Sequence, residues 1–104
     1  MYNLVVLFEI PNLKPFEIRA ILDTGATSCS ICQTAVPTEA LEDSPYPVHI
    51  TGVNSRQIAT KKLKEGQMVI GENKFRIPFT YCFPMGMRDG IQMLIGCNFI
   101  RSMQ

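Results

Sequence analysis

Tryptophan is missing from these 104 residues, histidine occurs once, and neither sign of charge predominates: ten Lys and Arg stand against nine Asp and Glu, a net charge of +1. Without a charge excess there is no sequence-wide field to gather nucleic acid or an anionic surface, so no nucleic-acid partner is expected. Long apolar runs are missing too. The longest, Leu4 to Phe8, falls far short of the roughly 20 residues that cross a bilayer, so no membrane association is expected. The N-terminus shows no basic start or cleavage region of a signal peptide, and no Asn lies in an Asn-x-Ser/Thr sequon. A soluble, intracellular, unsecreted protein is expected, with its four cysteines reduced rather than bridged.

The scarcity of histidine bounds the chemistry further. His49 could act as base for Ser28, Cys29 or Cys82, but no spacing favours such a trio, and it reads as a partly exposed residue of an alternating strand. Cys29-Ser30-Ile31-Cys32 has the spacing of redox and zinc sites, yet Cys82 and Cys97 form no second close pair. A thioredoxin-like site would also want a βαβ context, which is missing. No metal and no organic cofactor are expected, and the cysteines read as small apolar packing groups.

What is present is apolar sequence cut into short pieces. With 46% hydrophobic and 18% charged residues the chain is too apolar for disorder, and its length suits a single domain over 1–104. A domain so small has a thin stability margin, which a partner subunit would widen. Seven Pro and seven Gly punctuate β-rich runs. Leu4–Ile10 and Phe16–Leu22 alternate and predict an antiparallel pair. From Ile31 to Pro47 three prolines and the acids Glu39, Glu42 and Asp43 predict loop, with a helical turn near Thr38–Glu42. Val48–Thr51 and Gln57–Thr60 flank Gly52, Val53, Asn54 and Ser55, which predicts a protruding hairpin with a small polar tip.

A second hairpin is predicted from Gln67–Ile70 and Lys74–Ile77 around Gly71. Strands over Phe79–Phe83 and Ile91–Ile95 follow, separated by a Pro84-Met85-Gly86 turn, and then a short helix over Cys97–Met103 with Gly96 or Asn98 near its start. Lys61, Lys62 and Lys64 read as a solvated strand edge that discourages aggregation. Met68, Met85, Met87 and Met93 read as core and loop filler, with Met85 and Met87 also able to line a substrate pocket.

Asp23-Thr24-Gly25 follows the apolar run Ala20-Ile21-Leu22 directly, which sets a carboxylate at the mouth of a strand. A carboxylate desolvated there must be hydrogen-bonded or functional, because an unpaired buried charge costs several kcal/mol. The tripeptide alone leaves two readings open, an Asx-type turn and a working acid.

Leu22-Asp23-Thr24-Gly25-Ala26-Thr27-Ser28 resembles the active-site loop of the retroviral-type aspartic proteases, the retropepsins. Met93-Leu94-Ile95-Gly96-Cys97-Asn98-Phe99 resembles that family's second signature, and the hairpin around Gly52–Ser55 falls where the family has its flap. Gly52–Gln57, Gly71–Pro78 and Ile95–Ile100 are further similar to the protease region in polyproteins of plant bacilliform pararetroviruses, of the badnavirus and rice tungro type. The resemblance implies an all-β, retropepsin-like acid protease lobe: closed-barrel-like antiparallel sheets, a flap hairpin and one short C-terminal helix.

It also implies an aspartic endopeptidase that works as a homodimer on a viral polyprotein, in host cytoplasm or virion. Carboxylate hydrolysis needs two acids and the chain has one Asp-Thr-Gly, so two copies must meet, and the facing Asp23 side chains would share one proton. By resemblance, Thr24 would bond across the interface and Gly25 would offer its carbonyl to substrate. Ala26, Thr27 and the flap residues Gly52, Val53, Asn54 and Ser55 would hold an extended peptide. Many retroviral relatives carry an acid–arginine pair where this chain has Thr27 and Cys97, and the sequence stops at Gln104, where a terminal strand usually interleaves. The dimer is accordingly expected to be weak or assembled differently. The competing reading from another class is a retropepsin-like dimerisation or peptide-binding module without catalysis.

Overall fold

A computed structural model describes residues 2–51, 56–83 and 90–102. The tip of the first hairpin (52–55) and the segment 84–89, with Met85 and Met87, lie outside the described residues. Among the described residues nine strands form one sheet: β1 (Tyr2–Glu9), β2 (Phe16–Leu22), β3 (Cys29–Cys32), β4 (Leu41–Thr51), β5 (Arg56–Leu63), β6 (Gln67–Ile70), β7 (Asn73–Arg76), β8 (Thr80–Phe83) and β9 (Met93–Ile95). Helix α1 (Cys97–Ser102) follows β9, and short 3-10 turns cover Gln33–Ala35 and Thr38–Ala40. The all-β lobe with one short helix is as the sequence implied.

Strand order is β4-β5-β8-β3-β9-β2-β1-β6-β7. Only residues 64–66 separate β5 from β6, yet these strands hold the second and eighth places. Six strand spacings in a flat sheet cover about 29 Å, whereas the four Cα steps from Leu63 to Gln67 reach at most about 14 Å. The sheet must therefore curl, and one continuous core fills the curl. Val6 and Phe8 of β1, Ile18 of β2, Leu63 of β5, Met68 of β6 and Met93 of β9 all belong to it.

The β1–β2 hairpin pairs Tyr2 with Leu22 through Phe8 with Phe16, as its alternation predicts. Val6, Phe8, Ile18 and Ala20 point into the core while Val5, Glu17 and Arg19 face out. The second hairpin pairs Ile70 with Asn73 across a two-residue Gly71-Glu72 turn.

Two segments differ from expectation. Pro45 and Pro47 lie inside strand β4 rather than in a loop. The strand tolerates them because it is an edge, with a partner on one side only among the described residues, and because its ladder shifts register between Asp43 and Val48. Cys29–Cys32 is a central strand between β8 and β9, and all four of its residues are buried, so both of its faces are covered. A strand covered on both sides carries no alternation to betray it.

The lysines are also placed differently. β5 is an interior strand with β4 outside it, so Lys61 and Lys62 face Asp43 and Glu42 across the ladder instead of forming a solvated edge. Lys61 pairs with Asp43. Lys62 Nζ lies 2.9 Å from Glu42 Oε2, also donates to the Leu63 carbonyl at 2.8 Å, and sits 5.2 Å over the Phe79 ring with 13% of its side chain exposed. The acidic and basic clusters thus neutralise one another at the base of the first hairpin.

Candidate active site

Strand β2 carries its apolar run up to Leu22, and the chain then turns over 23–28 before entering β3. β9 lies parallel to β2, pairing Ala20 with Met93, Ile21 with Leu94 and Leu22 with Ile95. That register sets Asp23 level with Gly96, and Asp23 N–H donates to the Ile95 carbonyl at 3.0 Å. Two motifs some seventy positions apart in sequence thereby become neighbours.

Within the turn, Asp23 Oδ1 accepts the Gly25 N–H at 2.9 Å, and the Asp23 carbonyl accepts the Ala26 N–H at 3.1 Å. This is an Asx turn, so the structural reading of Asp23 holds whatever else the residue does. Gly25 has no left-handed backbone. Its need is for room: a Cβ there would stand 3.2 Å from Asp23 Oδ1. Asp23 is half-buried, while Thr24, Gly25 and Thr27 are exposed. Asp23 is thus partly covered and its carboxylate is hydrogen-bonded, as an acid at the end of an apolar strand requires.

The far end of the loop is tied to the junction between β9 and α1. Cys97 N–H donates to the Ala26 carbonyl at 2.8 Å, Asn98 N–H to the Thr27 carbonyl at 3.2 Å, and the Cys97 thiol to the Thr24 carbonyl at 3.1 Å. Gly96 opens α1, its carbonyl taking the N–H groups of Phe99 and Ile100, both at 3.2 Å. Thr27 and Cys97 thus join the loop to the helix through backbone groups and a thiol. The Ala26 amide and the Ala26 and Thr27 carbonyls already have partners inside the lobe. Gly52, Val53, Asn54 and Ser55 lie outside the described residues.

Cys29 and Cys32, three apart on a strand, project to opposite faces of the sheet, which is no geometry for a shared ion or a disulfide. Among the described residues no three His, Cys, Asp or Glu gather as metal ligands would. The Cys29 thiol donates to Asn98 Oδ1 at 3.1 Å, and burial raises its pKa. Burial pushes Cys82 from 9.0 up to about 12, against a smaller opposing pull from Lys62.

The thiolate is the reactive form. At neutral pH, iodoacetamide followed by mass spectrometry should therefore modify half-buried Cys97 first and spare Cys29 and Cys82 until the chain unfolds. Because the Cys82 value is raised on folding, its contribution to stability is full below pH 9.0 and is lost as pH climbs toward about 12.

Sequence reasoning assigned no bond to Cys97 or to the Asn98 side chain. An Asn just past Gly96 is a helix-start signal. Its other partners come from segments distant in sequence, which no local pattern reveals.

A family model described as retroviral aspartyl protease matches residues 3–104. Polyprotein P3 of Commelina yellow mottle virus, a badnavirus, is 43% identical over 104 residues, covering all of this chain and 6% of that protein. The enzymatic polyprotein of Figwort mosaic virus (strain DxS) is 34% identical over 89 residues, 85% of this chain and 13% of that protein. That of Cauliflower mosaic virus (strain Strasbourg) is 29% identical over 87 residues, 83% and 12%. The chain thus spans a small fraction of the relatives it matches. A match running over both the Asp23-Thr24-Gly25 turn and the Gly96 junction that the fold sets beside it makes this chain a member of the retroviral aspartyl protease family, an aspartic endopeptidase domain.

Proposed function

We propose that the domain cleaves peptide bonds of a plant-virus polyprotein as a homodimer, with Asp23 of each copy forming the catalytic pair. One observation carries the reading: the Asp-Thr-Gly turn, tied to Ile95 and braced by the Gly96 junction, holds a half-buried Asp23 beside exposed Thr24 and Gly25, where a second copy can supply the other acid. Two like charges a few Å apart do not both ionise, so the pair holds one proton between its members. The ionised carboxylate takes a proton from water as the water oxygen attacks the scissile carbonyl carbon, and the protonated carboxyl donates to the carbonyl oxygen. Collapse of the gem-diol breaks the C–N bond: the protonated carboxyl gives its proton to the departing nitrogen while a diol hydroxyl passes one to the ionised carboxylate, which restores the shared proton.

Thr24 bonds across the two-fold, and Gly25 offers its carbonyl to the substrate backbone. Ala26 and Thr27 flank the bound peptide, and the hairpin tip Gly52, Val53, Asn54 and Ser55 closes over it as a flap. Excision from the polyprotein places the enzyme in host cytoplasm or in the virion.

The test is cleavage of a polyprotein fragment across protein concentration and pH. Turnover per chain should rise with chain concentration, and the rate should follow a bell on the acidic side of neutrality. A rate flat from about pH 4 to about pH 8, or linear in concentration down to full dilution, would overturn the paired-acid reading. A folded dimer that binds the fragment and never cuts it would favour a binding module.

A further inference from the structure

Asn98 is the one polar side chain of the second motif to which the mechanism above gives no part. It stands in the first turn of α1 and faces solvent over much of its surface, yet both polar atoms of its amide are engaged by protein. Oδ1 accepts the Phe99 N–H at 2.9 Å and the Cys29 thiol at 3.1 Å, and Nδ2 donates to the Phe79 carbonyl at 3.3 Å. Its own backbone N–H reaches the Thr27 carbonyl at 3.2 Å. One residue thus joins the helix, the entry to β3, the approach to β8 and the far end of the Asp23 loop. Only a carboxamide offers an acceptor and a donor side by side in this way; a carboxylate keeps the acceptor and loses the donor.

The opposite end of the loop is already anchored, through Asp23 N–H on the Ile95 carbonyl. Without Asn98, the entry to β3 would keep its backbone ties to the helix but lose the side-chain tie that links them to the body of the sheet. We propose that Asn98 is a positioning residue for peptide hydrolysis, holding the Thr27–Cys29 end of the loop so that Asp23 and Thr24 meet the second copy at a fixed height. This rests on the dimeric protease reading above. Displacing a reacting group by about 1 Å costs on the order of 100-fold in rate, whereas peptide binding along the flap and strands is left alone.

The experiment compares Asn98→Ala, Asn98→Asp and a core variant remote from the loop, Phe8→Leu, at protein concentrations that saturate the dimer. In Asn98→Ala, hydrogen exchange at the Gly25, Ala26 and Cys97 amides should quicken about 10-fold or more while the β1–β2 amides keep their rates. In the same variant kcat should fall by roughly 30- to 100-fold with KM within about twofold. Asn98→Asp, which retains the acceptor for Cys29 and Phe99, should recover part of both. Phe8→Leu should lower the melting temperature and change neither.

Unchanged exchange in the loop of Asn98→Ala overturns the proposal, as does a raised KM with kcat intact or a kcat loss matched by Phe8→Leu. Exchange is read without substrate, so it decides the anchoring role even if the wild-type chain cleaves no better than Asp23→Asn. That last result would bring down the protease reading instead.

Discussion

Asp23→Asn should abolish turnover and leave the lobe folded. Within one copy the carboxylate has a single described task, accepting the Gly25 N–H through Oδ1. An asparagine oxygen can accept the same bond from the same position, so the Asx turn, the 2.9 Å contact and the anchoring to Ile95 survive. What vanishes is the group proposed to take a proton from water, and in the proposed symmetric dimer it vanishes from both sides at once. General acid–base help is worth roughly 100- to 10,000-fold for one group, so the expected fall in kcat is on the order of 10,000-fold.

In the dimer proposed above, replacing the charged carboxyl pair by two neutral amides should also leave the dimer as tight or tighter. The check is product mass spectrometry on a polyprotein fragment, with circular dichroism and sedimentation to establish that fold and assembly persist. Cleavage by the variant at the wild-type rate would end the assignment of Asp23.

Gly96→Ala should be the most destabilising alanine substitution among the described glycines. A Cβ at that position would fall 2.4 Å from the Ser28 carbonyl oxygen, 2.7 Å from its carbon and 2.8 Å from the Ala26 carbonyl oxygen. All three are backbone atoms of the Asp23 loop, so no side chain can swing aside. Either the loop retreats, breaking the Cys97–Ala26 and Asn98–Thr27 bonds, or β9 does, breaking its pairing with β2 and β3.

Overpacking a core costs about 1 to 3 kcal/mol where side chains can adjust, and about 3 kcal/mol or more is expected here. Against a total of roughly 5 to 15 kcal/mol for a small domain, that is a large share. Gly71→Ala is the contrast: its Cβ meets open space, and only a φ of 62° opposes it, so about 1 kcal/mol is expected. Urea midpoints for the two variants measure the difference, and equal midpoints would refute the steric account.

Local order alone was enough for much of this protein. Alternation in Leu4–Ile10 and Phe16–Leu22 specifies a hairpin and its inner face, because a strand with one buried side must alternate. Gly71-Glu72 between two short β runs specifies a tight turn, and Asp23-Thr24-Gly25 after an apolar run specifies a carboxylate in a turn at a strand's end. Those features depend on neighbours within a few residues, and so the order of residues carries them.

Other features depended on partners far along the chain. Pro45 and Pro47 argue for a loop until an edge position removes the demand for the backbone N–H that proline lacks. Cys29–Cys32 shows the spacing of a ligand pair until burial on both faces turns it into a central strand. Lys61 and Lys62 look solvated until β4 brings Asp43 and Glu42 opposite them. The site itself is of this second kind. Asp23 and Gly96 are joined by the parallel pairing of β2 with β9, a contact whose loop-closure cost only the finished core repays. The residue types for an acid protease can thus be read one after another, but the bracing that lets Asp23 stand still is set by which strands lie side by side.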